Sequence, residues 1–285
     1  MMSRTPSFYS TTPSLADRDG LLTALHEHVL ARNGADFADR EVRMTSEFDR
    51  VDSTASFRID AGRFNRNYGA FTEKDIPLEE VALLAFVKVN AGEAYGVEVT
   101  TKSRAHLMAR PETRYRVEKA IGLEENFHTR LLLGATLHFE DLAVGGAWKP
   151  TWPLRLLIGG LARFPEWMFH PVLLGAEMSG VHTFTWLLNR VGSLFPNDPL
   201  VRESMERRLL DILTDEIGHI AYNRIVLGTR GMSAARKVAS WVTEGHRVMS
   251  PEMMALGLDS EQMKTVTSFD YDQLPEEVKR RGFFV

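Results

Sequence analysis

Two short segments of the chain combine acidic residues with histidine at a spacing suited to metal binding. They read Glu124-Glu125-Asn126-Phe127-His128 and Asp215-Glu216-Ile217-Gly218-His219. In each motif a Glu and a His lie three residues apart, so on a helix both side chains leave the same face about one turn apart and can bind one ion. Because the pattern occurs twice, with an additional acid before each Glu, it predicts two matched halves of one metal site.

Each motif also has a single acidic partner on the helix predicted to precede it. Glu93 lies about as far before the turn at Arg110 as Glu125 lies after it, and Glu177 and Glu216 flank the turn around Pro199 in the same way. At about 1.5 Å per residue, the partners in each antiparallel pair reach nearly the same height. Glu93 and Glu177 are predicted from this spacing alone. Glu98 is an alternative to Glu93, but its neighbours indicate a more exposed face.

The elements that must position these residues are all predicted to be helices. Apolar residues recur at helical spacing along most of the chain, and Pro and Gly mark the ends of the segments. The predicted helices cover residues 15–32, 75–110, 111 to the Gly145-Gly146 pair, 153–163, 167–194, 199–228 and 234–246. Residues 37–72 show no clear period, which predicts irregular structure or short helices without a site.

The inner faces of four of these helices carry the acidic and histidine residues among apolar ones. A buried carboxylate must be paired, protonated or bound to metal, and no Lys or Arg is predicted on the same faces. Two divalent iron or manganese ions would compensate the charge. One ion is then held by Glu93 and His128, the other by Glu177 and His219, and Glu125 and Glu216 bridge them. Glu124 and Asp215 are predicted to hydrogen-bond the ligand histidines from outside.

This pattern resembles the ferritin-like diiron carboxylate proteins, which include ribonucleotide reductase small subunits, multicomponent monooxygenases, soluble acyl-carrier-protein desaturases and arylamine N-oxygenases. The paired motifs are most similar to those of the desaturases, although Phe127 and Gly218 stand where these often have Arg. Ile212 stands where arylamine N-oxygenases have a further His ligand. The resemblance covers about residues 77–228. It implies a ferritin-like four-helix bundle with a long crossover and additional N- and C-terminal helices, two Fe ions or a Mn/Fe pair, and O2 as co-substrate.

The resemblance further implies oxidation of a C–H bond or an amine. We expect an oxygenase or hydroxylase of a small, medium or carrier-bound organic substrate, with an acyl desaturase, an amine N-oxygenase, and an iron-storage or radical-generating bundle as alternatives. Electrons would come from an external reductase or ferredoxin, because the chain has neither a Gly-rich dinucleotide turn nor cysteine. We also expect a homodimer. Trp148, Trp167, Phe169 and His170 could line the substrate route or pack in the core.

Composition bounds these expectations. The chain has 285 residues, 44% of them hydrophobic, a formal net charge of −4 and no cysteine. These values predict a globular cytoplasmic protein without disulfides, thiolate metal sites or a nucleic-acid partner. We expect a flexible arm at residues 1–14 and a single helical domain at 15–285. The apolar stretch from Trp152 to Leu188 is interrupted by charged residues and Pro, which disfavours a membrane span but leaves a membrane-touching surface as an alternative.

Overall fold

The computed structural model describes residues 17–49, 55–73, 75–140, 142–144, 148–269 and 271–285. The arm predicted at residues 1–14 lies outside the described residues. Within the described ranges the chain forms helices and no β-strand, which confirms the predicted all-α class. The α-helices are α1 (Arg18–Asn33), α2 (Ala38–Asp49), α3 (Ala61–Gly69), α4 (Leu78–Lys88), α5 (Ala91–Ser103), α6 (Ala105–Met108), α7 (Thr113–Leu133), α8 (Trp152–Leu161), α9 (Glu166–Leu188), α10 (Val191–Leu194), α11 (Pro199–Val248), α12 (Pro251–Ala255), α13 (Ser260–Lys264) and α14 (Glu276–Arg281).

The predicted inner faces of α7 and α11 are buried. On α11, Met205, Leu209 and Ile212 recur every three or four residues and are inaccessible to solvent, as are Val117 and Leu132 on α7. This period places one stripe of each helix against the neighbouring helices. The apolar residues of these stripes therefore fix which way the acids and histidines between them point.

The segment predicted as one helix over residues 75–110 is broken in the structure. Helix α4 ends at Lys88, α5 begins at Ala91, and a second break after Ser103 separates α6. Asn90, at the first break, directs its side-chain amide onto Glu125, and Gly92 follows two residues later. Both residue types have low helix propensity, so a tertiary hydrogen bond outweighs continuation of the helix here.

Helix α7 is shorter than predicted. It ends at Leu133 and continues as a 3-10 helix over Gly134–His138, whereas the predicted end at Gly145 and Gly146 lies outside the described residues. The buried Arg208 guanidinium donates a 2.6 Å hydrogen bond to the Leu131 carbonyl. That carbonyl lies in the last turn, where helical carbonyls lack partners within the helix.

Helix α11 and the shorter helix predicted after it form one element with a kink. Gly228 has φ 56° and ψ −168°, a backbone conformation that glycine adopts far more readily than other residues. The predicted interruption at Gly228 is confirmed, and the second half of α11 continues in a new direction to Val248.

The longest helices pack around one another. Helix α9 lies along α11, α7 contacts α5 and α11, and α1 packs on the outside of α7 and α11. Short helices do occur within residues 37–72, as predicted, and α2 packs beside α1. None of the described helices combines the length and the apolar character needed to cross a bilayer.

Candidate metal centre

Helices α7, α9 and α11 bring a group of acidic and histidine side chains together in the interior. Glu125, Glu177, Glu216 and His219 are all buried, and one potential ligand atom from each lies within 4.8 Å of the others. Three carboxylates and one imidazole at this separation can surround a divalent cation. The chain therefore contains a buried Glu/His group that can hold a metal ion.

Glu125 and Glu216 each face both histidines. Glu125 places Oε2 3.4 Å from Nδ1 of His128 and Oε1 3.1 Å from Nδ1 of His219. Glu216 places Oε1 3.1 Å from Nδ1 of His128 and Oε2 3.4 Å from Nδ1 of His219. Each carboxylate thus presents one oxygen to each imidazole.

Glu177 and Glu93 reach the same centre from α9 and α5. Glu177 Oε2 lies 3.6 Å from Nδ1 of His219. Glu93 faces Gly180 of α9 so closely that a methyl group at Gly180 would lie 2.8 Å from Glu93 Oε1. Glu98, the alternative to Glu93, is exposed and pairs instead with Lys102.

Several buried atoms of this group lack a hydrogen-bond partner. They are both carboxylate oxygens of Glu93 and of Glu216, Oε2 of Glu177, and Nδ1 of His128 and His219. Although the Nδ1 atoms lie near the carboxylates, the contacts do not have hydrogen-bond geometry. Buried polar atoms without partners are costly and uncommon. Because these are all electron-pair donors that face one another, the residues present fit bound cations.

The outward nitrogen of each histidine contacts the extra acid of the opposite motif. Nε2 of His128 lies 3.0 Å from Asp215 Oδ2, and Nε2 of His219 lies 3.1 Å from Glu124 Oε2. When the imidazole is neutral, the carboxylate can accept a hydrogen bond from Nε2–H, which leaves the Nδ1 lone pair directed to the inner carboxylates, as a bound cation requires. The structure thus places each of these acids against the histidine of the other motif, Asp215 against His128 and Glu124 against His219.

Side chains of α1 and α2, outside the four helices that carry the predicted ligands, complete this arrangement. Arg32 and Arg40 bind Asp215 at 3.0 and 2.9 Å, and Asn33 donates a 2.8 Å hydrogen bond to Glu124. The expectation of no Lys or Arg concerned the inner faces of the four ligand helices; these two arginines come from α1 and α2, which the sequence did not connect with the site. The burial of Asn33 could have been predicted from the sequence, since Asn33 continues the buried stripe of Leu22, Leu25 and Val29 on α1. No sequence pattern indicates that Arg40 is buried.

Burial and mutual contact shift the pKa values of the group. Burial raises the pKa of Glu177 to about 8 and also raises that of Glu93, to which Glu216 and Glu125 add. For His128 and His219 burial acts in the opposite direction, but the neighbouring carboxylates outweigh it and raise both pKa values. Burial likewise opposes ionisation of Asp215, yet Arg32 and Arg40 hold its pKa well below the usual range. In the metal-free chain, protons on the buried carboxyl groups and imidazoles therefore offset part of the negative charge that a cation would otherwise neutralise.

A cavity of about 600 Å³ lies against the centre, with Glu93, Glu125 and Glu177 in its wall. The rest of the lining is mainly apolar and includes Trp148 and Phe169. Trp167 does not line it and is 71% exposed, because it leaves α9 on the face opposite Phe169.

His170 does not line the cavity either, and of its two predicted alternatives, the substrate route and core packing, the structure agrees with packing. It is buried, and its Nδ1 lies 2.9 Å from the Asn223 side-chain oxygen on α11. Because His170 follows Phe169 by one residue, its side chain leaves α9 about 100° around the helix from that of Phe169 and faces α11 instead of the cavity.

Comparison with protein-family models, with curated proteins and with solved structures finds no match to this chain. Its function is therefore inferred from the centre and the cavity.

Proposed function

We propose that this chain is an O2-dependent non-haem diiron oxidoreductase built on a ferritin-like four-helix bundle. In this proposal α5, α7, α9 and α11 form the bundle, and the segment containing α8 is the crossover between its two hairpins. The single observation that carries the proposal is the pair of carboxylates, Glu125 and Glu216, each of which presents one oxygen to each buried imidazole.

The donor set suits two cations. Glu93 and His128 would hold one and Glu177 and His219 the other, while Glu125 and Glu216 bridge them. Four carboxylates neutralise two divalent ions if both imidazoles are neutral. The contacts of Glu124 and Asp215 with the Nε2 atoms favour the tautomer that carries its proton on Nε2 and leaves Nδ1 free to bind metal. The absence of cysteine leaves only oxygen and nitrogen ligands, which suit iron and manganese. When bound, a diiron pair supplies O2 activation with electrons from an external reductase or ferredoxin.

The cavity supports oxidation of an organic substrate. Its volume of about 600 Å³ lies within the range of small-molecule sites, and its wall contains both the ligand carboxylates and apolar side chains. The apolar lining would bind the carbon skeleton, hold it beside the metals and exclude water. We therefore favour an oxygenase or hydroxylase. Acyl desaturation and amine N-oxygenation use the same centre and would be separated by product analysis.

An iron-storage bundle fits the cavity less well. Stored iron must pass as a hydrated ion, for which a mainly apolar passage is unfavourable. A storage protein would also bind many more than two ions per chain. Metal stoichiometry therefore separates the two proposals directly.

The test is anaerobic reconstitution with ferrous iron followed by exposure to O2. We expect two Fe per chain and an iron-dependent near-ultraviolet absorption that develops after O2 is added. Glu216→Gln removes a bridging charge with almost no change in shape and should lose at least one iron. Glu98→Gln is the matched control, because Glu98 is an exposed carboxylate on α5 and should leave iron content unchanged. Full aerobic turnover by iron-free protein would refute the proposal.

A further inference from the structure

The cavity opens at a surface formed by large apolar side chains. Leu157 of α8 and Trp241, Val248 and Met249 near the end of α11 line the cavity and are also exposed. Side chains that border both the cavity and solvent mark its mouth. Glu244 lies there as well, but it pairs with Arg247 and adds no net charge.

Helix α8 adds a second exposed apolar face beside the mouth, on the side of the helix away from the cavity. It packs on α5 and contains no fully buried residue. Trp152 and Leu156 are 69% and 65% exposed. Phe164 lies three residues after the helix and Trp167 in the first turn of α9, and both are exposed too. We refer to Trp152, Leu156, Phe164 and Trp167, together with the mouth residues, as the α8 surface. Apolar patches of this kind on a protein surface usually mark a contact site.

The α8 surface is also basic. Residues 148–165 include Lys149, Arg155 and Arg163 and contain no acidic residue, whereas the whole chain has a formal net charge of −4. All three basic side chains are exposed. Arg155 and Arg163 donate hydrogen bonds to the nearby carbonyls of Pro150 and Gly159, and neither forms an ion pair within the described part of the chain. The charges of Arg155 and Arg163 are therefore available to an external partner, whereas Lys149 lies within electrostatic range of Glu98.

We propose that the α8 surface docks peripherally on a lipid bilayer with anionic headgroups. Helix α8 is apolar apart from Arg155, and its exposed Trp152 and Leu156, with Lys149 and Arg163 on either side, match a segment that lies in the membrane interface. The apolar side chains enter the acyl boundary while the basic groups contact the headgroups.

Other occupants match this surface less well. A second copy docked through the same surface would bring the basic groups of the two chains together, which is unfavourable. An acidic protein would match the three cations but leave the large apolar side chains largely without apolar partners. An anionic bilayer satisfies both features.

This docking also indicates a substrate class, in a step that rests on the proposed function. Because the mouth opens within the α8 surface, a molecule dissolved in the bilayer can enter the cavity without crossing water. The substrate would then be an apolar compound that partitions into membranes.

Vesicle flotation of the metal-loaded protein tests the docking without any turnover. We expect binding to vesicles of phosphatidylcholine mixed with phosphatidylglycerol, and weaker binding to phosphatidylcholine alone. Trp152→Ser/Leu156→Ser/Trp167→Ser should lower the partition coefficient at least about tenfold. Arg155→Gln/Arg163→Gln should lower it about 30-fold on the anionic vesicles only, from roughly 1 kcal/mol for each basic residue near such a surface.

The matched control is Val42→Ser/Leu78→Ser/Leu200→Ser. These side chains are also large, apolar and exposed, at 69%, 53% and 56%, but belong to α2, α4 and the start of α11. The control should bind vesicles like the wild type. An equal loss in the control, or no vesicle binding by the wild type, would overturn the docking proposal. The proposal would also be overturned if the wild type is a dimer and Trp152→Ser/Leu156→Ser/Trp167→Ser is a monomer, since the α8 surface would then join two copies of the chain. Iron content measured on the same samples tests the proposed function separately.

Discussion

Gly180→Ala should weaken metal binding while making the metal-free chain more stable. Gly180 lies in the middle of α9, its backbone is helical, and the added methyl group would lie 2.8 Å from Glu93 Oε1 and 3.4 Å from Oε2. Ordinary contacts begin at about 3.4 Å, so the carboxylate must move by roughly 0.6 Å. Metal–ligand distances tolerate only about ±0.2 Å, so Glu93 cannot keep its position as a ligand.

The two effects have opposite signs and can be measured on one variant. Without metal, Glu93 is free to shift, and replacing Gly by Ala within a helix stabilises by up to about 1 kcal/mol. With metal, we expect the affinity for the ion held by Glu93 to fall by at least about tenfold, or roughly 1.4 kcal/mol. Urea unfolding of the metal-free protein and calorimetric titration with ferrous or manganous ion measure the two quantities.

Gly96→Ala is the matched control. Gly96 lies on α5 with Glu93, and a methyl group there meets nothing within 4 Å. It should gain a similar helix stabilisation and retain metal affinity. If Gly180→Ala binds both ions as tightly as the wild type, Glu93 is not a ligand in the position described.

Three further predictions concern the surroundings of the centre. Asp215→Asn should lower metal affinity by about 10- to 100-fold in a calorimetric titration, because Asp215 fixes the His128 tautomer. Asp211→Asn is the control and should change the affinity much less. Asp211 pairs with the same two arginines but has no ion-pair contact with His128. Burial lowers the pKa values of His170 and His246 to about 4, so the unfolded chain binds more protons between about pH 6.5 and pH 4. The free energy of unfolding should fall as pH decreases through this window, and urea unfolding of His246→Gln should show a slope smaller by up to about 1.4 kcal/mol per pH unit; an unchanged slope would show that His246 is not held neutral. Removal of metal by a chelator should lower the unfolding temperature in calorimetry, and restored ferrous ion should raise it again; equal temperatures would indicate that no cation binds the folded chain.

Much of the centre could be predicted because polar side chains interrupt otherwise apolar helical stripes. Glu216 and His219 lie on the same stripe as Ile212 and Leu209, and only the inside of the fold is available to that stripe. Once packing fixes the helix, the direction of both side chains follows. The all-α class and the break at Gly228 could be predicted for similarly local reasons.

The parts that could not be predicted depend on contacts between segments far apart in the chain. Arg40 comes from a region with no periodic pattern, yet it reaches Asp215 across the fold. The break before α5 depends on a hydrogen bond from Asn90 to Glu125. Which of the two opposite faces of α9, that of Trp167 or that of Phe169, lies against the cavity depends on how α9 packs. Local spacing contains none of this information.

The most direct test of the metal centre is a crystal structure of the iron-loaded chain with anomalous data collected at the iron absorption edge. We predict two anomalous peaks about 3.5–4 Å apart, with Glu125 and Glu216 between them and Nδ1 of one histidine bound to each. The absence of any peak among these side chains, or iron bound only at the protein surface, would contradict the account.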